Sequence, residues 1–326
     1  MTDARPLLDR VAARWAAGCG GTVRLVEPLS GGFANAVARV TLDDGRTAVV
    51  KLAPPPVAGL THERELLRTE AFALAALAGA DAPQPELLGT VELDGREAIV
   101  LSELDGAPPS DEIDPAEFGG LLAALHRAGA DAGADADADG SPPVFGYPFR
   151  TELQAPTARA AYLAQLDAVL ADARRFDVGL PVDARVLRER LHEASDAFDE
   201  VVAPTLVHFD LWDGNLLARD GRITGVIDHE RAMWADPTAD LPSRYLMRAV
   251  PAAVDADEEF RRAYAAASGA EPMPGAAART RARLWTAYLA LVMTVEAAPR
   301  AYSGSWFEEH DRAVRRWLVE TVDELG

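Results

Sequence analysis

Residues Val207–Leu217 read VHFDLWDGNLL, and residues Thr224–Glu230 read TGVIDHE. The first stretch holds His208, Asp210 and, five positions after that aspartate, Asn215; the second ends an apolar run on Asp228, thirteen positions beyond the asparagine. Aspartate and asparagine beside glycine are common turn residues, so the spacing alone is open to a plain loop reading. The flanks argue for more. Thr205–Val207 and Arg222–Ile227 read as short strands bracketing a loop, an arrangement that holds polar groups between two fixed elements. Asp228 follows apolar Val226 and Ile227 directly, and a buried carboxylate left unpaired is costly, so it needs a partner. A metal is the economical one. A carboxylate that accepts a hydroxyl proton, with an amide oxygen and a second carboxylate that hold Mg²⁺, is the set that phosphoryl transfer requires.

Upstream, Val23–Pro28 reads as a strand, followed by a loop containing Ser30, Gly31, Gly32 and Phe33 and an alternating strand from Ala36. Paired glycines let backbone N–H groups approach phosphate, although a Gly-Gly hairpin is often only a hairpin. Thr47–Leu52 is a strand with Lys51 near its end, a charge that must be paired or snorkel to water. The helix expected over Thr61–Leu77 offers Glu70 as the partner, with Glu63 and Glu65 as competitors. Thr90–Leu93 and Glu97–Leu101 form a hairpin across Asp94-Gly95, and the second strand runs into Ser102–Gly106, which reads as a hinge or as an ordinary linker.

In this order the segments resemble the aminoglycoside phosphotransferase family, small-molecule kinases of protein-kinase-like fold. HFDLWDGN stands where the family has His-x-Asp-x-x-x-x-Asn, and IDHE stands where protein kinases have Asp-Phe-Gly. Ala235-Asp236-Pro237 with Asp240-Leu241 is similar to the family's Gly-Asp-Pro-x-x-Asp-Leu, with Ala for Gly. The resemblance implies an α+β, bilobal protein-kinase-like fold. Residues 1–104 would be an N-lobe with a small antiparallel sheet, and residues 105–326 a larger, mainly helical C-lobe. It implies ATP in the cleft under the Ser30, Gly31, Gly32, Phe33 loop, with Lys51 on the phosphates and Glu70 as its ion-pair partner. The Glu103 carbonyl and Leu104 N–H would meet the adenine edge. Asn215 and Asp228 would carry Mg²⁺, and Asp210 would take the acceptor proton. His208 is expected to brace the loop, Asp240 to hold it or cap a helix, and His126 to pack. His229 departs from the aromatic residue common at its place, and the roles of Trp212 and Glu230 stay open. The implied acceptor is the hydroxyl of an aminoglycoside or amino sugar. Choline, fructosamine-type and homoserine acceptors are the alternatives, and the DLW triplet is similar to the fructosamine kinases. A protein substrate is disfavoured because no Ala-Pro-Glu segment follows Asp228. An inactive nucleotide-binding module would have lost one of Lys51, Asp210, Asn215 or Asp228, and all four are present.

The 326 residues carry a net charge of −20 with 26% charged and 49% hydrophobic residues, an ordinary globular composition on the acidic side. That balance disfavours nucleic acid as a partner, and it suits a cationic small molecule or simply an acidic, soluble surface. Glu296, Glu308, Glu309 and Asp311 are candidates to meet an amino group, or else solvated helix faces. Cys19 is the sole cysteine, no apolar run approaches the ~20 residues of a membrane helix, and MTDARPLLDR lacks a secretion core; a cytoplasmic protein is expected. Residues 128–143, AGADAGADADADGSPP, read as a solvated low-complexity loop.

Overall fold

The computed structural model describes residues 4–29, 35–54, 59–136 and 144–325. The glycine-loop residues Ser30, Gly31, Gly32 and Phe33 therefore lie outside the described residues. Helix α1 (Arg5–Gly18) precedes strands β1 (Val23–Pro28), β2 (Ala36–Leu42) and β3 (Thr47–Leu52); α2 (Leu66–Ala76) and the hairpin β4 (Leu87–Leu93), β5 (Arg96–Leu101) follow. The five strands form one antiparallel sheet in the order β1-β2-β3-β5-β4. Alternation along β3 sorts its side chains. Val50 and Leu52 join Leu8, Val11 and Ala12 of α1 in one core, while Val49 packs on the opposite face with Leu67 and Leu74 of α2. Lys51 shares that second face.

The remainder is largely helical: α3 (Pro115–Ala136), α4 (Ala158–Arg175) and α5 (Ala184–Ala194), then α6 (Leu241–Arg244), α7 (Val250–Ala256), α8 (Glu258–Ser268), α9 (Gly275–Glu296) and α10 (Ser305–Asp323). Between α5 and α6 lie four short strands, β6 (Thr205–Val207), β7 (Leu216–Arg219), β8 (Arg222–Val226) and β9 (Met233–Ala235), paired β6 with β9 and β7 with β8. The largest core unites these helices around α9, whose residues from Leu284 to Glu296 are almost all buried. This is the mixed, two-part protein-kinase-like architecture expected from the sequence. No helix among the described residues is long and apolar enough to cross a membrane.

Two expectations are corrected. The helix foreseen over Thr61–Leu77 is broken: Thr61–Glu63 is a 3-10 turn, Glu65 is left-handed at φ 60°, and α2 starts at Leu66. The cause is a tether to the large lobe. Asp172 of α4 accepts from Thr61 N at 2.5 Å and Thr61 Oγ1 at 2.9 Å, Arg175 donates to the Gly59 carbonyl at 2.6 Å, and Leu60 is buried in the large core. The low-complexity stretch is helical through residue 136, as its alanines favour. Gly129 and Gly133 let α3 lie directly on β6, where a Cβ at these positions would come within 2.2 Å of the Leu206 oxygen and 2.5 Å of the Pro204 oxygen.

Candidate active site

Glu70 receives Lys51 on the α2 face of the sheet. Lys51 Nζ lies 2.7 and 2.8 Å from the two Glu70 carboxylate oxygens and 2.7 Å from Asp228 Oδ1. Burial opposes the charge on Lys51, yet the carboxylates of Glu70, Asp228 and Glu230 outweigh it and hold the pKa above that of an ordinary lysine. The two competitors are placed elsewhere. Glu63 accepts from Leu60 N at 2.8 Å and pairs with Arg300, and the exposed Glu65 faces Arg68 at 3.5 Å.

Asp210 stands in a loop whose backbone is fixed from the start of α6. The Asp240 carboxylate accepts from Phe209 N and, at 3.2 Å, from His208 N; it also meets His126 Nε2 at 3.0 Å, and Ser243 Oγ accepts from Leu211 N at 3.0 Å. This bracing holds buried Phe209 at φ 66°, a left-handed conformation that a bulky residue keeps only when its surroundings impose it. His208 also braces: Nε2 donates to the Ile227 carbonyl at 3.1 Å while Nδ1 accepts from Asp210 N at 3.3 Å, so neither nitrogen is free to act as a base. Asn215 Nδ2 donates to the Asp210 carbonyl at 2.7 Å and to its Oδ2 at 3.3 Å, which leaves the amide oxygen for another partner. Burial pushes the Asp210 carboxyl up, with Arg231 and His208 pulling the other way. Trp212, 40% exposed, folds against Gly214 of its own loop.

The strand end carrying Asp228 is tied to this loop. Ile227 N donates to the Asn215 carbonyl at 3.0 Å, and Asp228 is itself left-handed at φ 68°. Glu230 accepts from Asn35 Nδ2 at 2.7 Å, and burial followed by Asp228 pushes its carboxyl up to about 8. Glu70, Asp228 and Glu230 offer oxygens within 4.8 Å of one another. His229 is buried beside His208, ring centroids 4.6 Å apart.

In the segment that follows β5, Glu103 pairs with Arg39 of β2, and the Asp105 carbonyl accepts from Thr224 Oγ1. Gly106, at φ 121°, lets the chain pass so close that a Cβ would stand 2.4 Å from Thr224 Oγ1. Among the described residues, neither the Glu103 carbonyl nor the Leu104 N–H bonds to the protein.

Sequence reasoning missed a buried ionic quartet beside Asp210. Arg231 pairs with Glu296 at 2.5 Å and stands 3.9 Å from Glu63; Arg300 pairs with Glu63 and, at 3.4 Å, with Glu296. Glu296 is therefore engaged by arginines, as Asp311 is by Arg315 at 2.7 Å. The available signal was two charges in apolar surroundings, Arg231 before Ala232-Met233 and Glu296 closing LALVMTVE. Next to the quartet, burial lowers the pKa of His62 to about 4. The unfolded chain takes up a proton below about pH 6.5 that the fold refuses, so this stability is complete above that pH and lost toward pH 4, by at most about 3 kcal/mol. Thermal denaturation from about pH 7 to about pH 4.5 is expected to show a falling Tm, with a flatter slope in His62→Phe. Equal slopes would rule out His62 as the source. Glu63, held down to about 2 despite burial by Arg300, His62 and Arg231, adds a loss of the same sign only below its ordinary value of 4.5.

A model of the phosphotransferase enzyme family matches residues 25–285. No curated protein sequence matches the chain. Among solved structures, a "putative fructosamine-3-kinase" from Thermobifida fusca YX-ER1 is 26% identical with a TM-score of 0.68, covering 97% of this chain and 98% of that one. A protein of the same description from Haemophilus somnus 129PT is 17% identical, TM-score 0.64, covering 95% and 96%. A thermostable mutant of an aminoglycoside phosphotransferase, in ternary complex with AMP-PNP and hygromycin B, is 17% identical, TM-score 0.60, covering 95% and 97%. With Lys51, Glu70 and Asp228 bonded together beside the loop of Asp210 and Asn215, and the family model spanning most of its length, the chain belongs to the phosphotransferase enzyme family, enzymes that transfer phosphate to a hydroxyl group.

Proposed function

We propose that this enzyme transfers the γ-phosphate of ATP, in the presence of Mg²⁺, to a hydroxyl of a sugar that carries an amino substituent. The carrying observation is Lys51 held within 2.8 Å of both Glu70 and Asp228, beside a loop in which Asn215 is locked onto Asp210. Lys51 meets the phosphates, and the Glu103 carbonyl with the Leu104 N–H takes the adenine edge. Asp210 accepts the hydroxyl proton as the acceptor oxygen bonds to the γ-phosphorus and the bond from phosphorus to ADP breaks. Its burial, which raises its proton affinity, suits that role. The Asn215 amide oxygen and the Asp228 carboxylate are hard oxygen donors that fit Mg²⁺. When bound, the ion would neutralise charge on the phosphate oxygens. The lobes are taken as residues 1–104 and 105–326, and the enzyme as cytoplasmic.

The acceptor class spans aminoglycosides, amino sugars and glycated amines. Two observations favour the fructosamine type: the greater likeness to the Thermobifida structure, and the engagement of Glu296 and Asp311 by arginines, which removes two carboxylates from an amine-rich acceptor. ADP release measured with hygromycin B, glucosamine, fructosyl-lysine, choline and homoserine tests this. Turnover is expected with a sugar amine, abolished by EDTA. Activity with choline or homoserine alone would overturn the acceptor class, and ATP binding without any turnover would point to an inactive module.

A further inference from the structure

Two side-chain bonds among the described residues join the five-stranded sheet to the segment 228–231. One is the ion pair from Lys51 to Asp228, at 2.7 Å. The other runs from Asn35 Nδ2 to Glu230 Oε2, also at 2.7 Å, between residues 195 positions apart. Both start from one end of neighbouring strands. Val37 of β2 stands opposite Lys51 of β3, and Asn35 directly precedes Ala36, which pairs with Leu52. The turn at His229–Arg231 packs in addition on α2, the helix that carries Glu70. Glu230 is only 6% exposed, so its carboxyl needs the amide that it meets. The two bonds differ in what a nucleotide does to them. On the reading above, Lys51 turns to the phosphates and Asp228 to Mg²⁺, so their mutual bond is exchanged when the site fills. Asn35 and Glu230 take no part in that exchange, and their bond can hold the sheet in register with Asp228 while the other is given up.

We propose that Glu230 is a positioning residue whose bond to Asn35 keeps β2 and β3 seated over Asp228, so that Lys51 and Asp228 grip one nucleotide together. The assignment rests on the nucleotide reading above. Glu230 serves here as a hydrogen-bond acceptor, a role that the amide oxygen of a glutamine also fills.

The test measures ATP binding by calorimetry with Mg²⁺ present, and Tm, for wild type, Glu230→Gln and Glu230→Leu, and for the same two Glu230 variants combined with Asn35→Leu. Gln and Leu are both uncharged, so their difference isolates the bond from the charge. Glu230→Leu is expected to bind ATP ~5–30-fold more weakly than Glu230→Gln, and in the Asn35→Leu background the two should bind alike. Equal binding by the two variants with Asn35 intact overturns the positioning role alone, whatever Tm does. So does a difference that persists without Asn35. A Glu230→Gln variant that needs about tenfold more Mg²⁺ than wild type overturns it too, since the carboxylate would then act as a metal ligand. Because binding is read without an acceptor, failure of the sugar-amine class leaves the result standing, whereas wild type that binds no ATP overturns the nucleotide reading and the positioning role together.

Discussion

Asp210→Ala is expected to lower kcat by roughly 10²–10⁴-fold, the usual contribution of a positioned general base, while ATP binding stays within about threefold of wild type. The selectivity follows from the geometry. The shorter bond from Asn215 goes to the Asp210 backbone carbonyl, at 2.7 Å, and survives loss of the side chain. The loop keeps its shape through Asp240 and Ser243, which hold the backbone of residues 208, 209 and 211 and never touch the Asp210 carboxylate. Because burial already disfavours the Asp210 charge, removing it should not lower Tm. Steady-state ADP release alongside nucleotide binding by calorimetry separates the two effects. Retention of a tenth or more of wild-type turnover would remove Asp210 from the role of base.

Lys51→Met is expected to damage both binding and stability. It withdraws the cation facing Glu70, which is 0% exposed, and breaking a buried pair from one side costs about 3–5 kcal/mol. The real loss lies toward the lower end, because burial already raises the Glu70 pKa and the carboxyl can take up a proton instead. The Asp228 side chain is 35% exposed and adds little. If Lys51 meets the phosphates as proposed, the ATP KM should rise and kcat fall together. Adding Glu70→Leu removes the stranded charge, so the double variant should regain Tm without regaining turnover. A double variant no more stable than Lys51→Met would show that the pair is not the origin of the cost, and an unchanged ATP KM in Lys51→Met would detach Lys51 from the nucleotide.

The arrangement of the candidate site was legible where it is local. His208, Asp210 and Asn215 lie within one loop, and Asp228 ends the strand whose amide bonds back to Asn215, so spacing along the chain reports spacing in the fold. Lys51 was legible because a charge interrupts an apolar strand, and period-two alternation places it on the same face as Val49, the one that α2 covers. The quartet was not legible. Glu63 and Arg300 are 237 positions apart, and nothing periodic marks either as the other's partner. The break at Glu65 escaped for a related reason: the helical pattern across residues 61–77 is real, but Asp172, more than a hundred positions later, competes for the backbone and hydroxyl of Thr61. In α3 the error ran the other way, because acidic, alanine-rich composition suggested solvent while Gly129 and Gly133 hold the helix on β6.

The tether at Gly59–Glu63 bears on how the protein is made. A nascent chain ending near the hinge carries every strand of the five-stranded sheet, but not Asp172, Asp228, Glu230 or Arg300, which lie 111 to 237 positions beyond their partners Thr61, Lys51, Asn35 and Glu63. Leu60, Ala73 and Leu77, which belong to the large core, stay wet until that core is synthesised. Lys51 acquires its full set of contacts only late in translation, so a truncated message yields a sheet whose central lysine lacks Asp228.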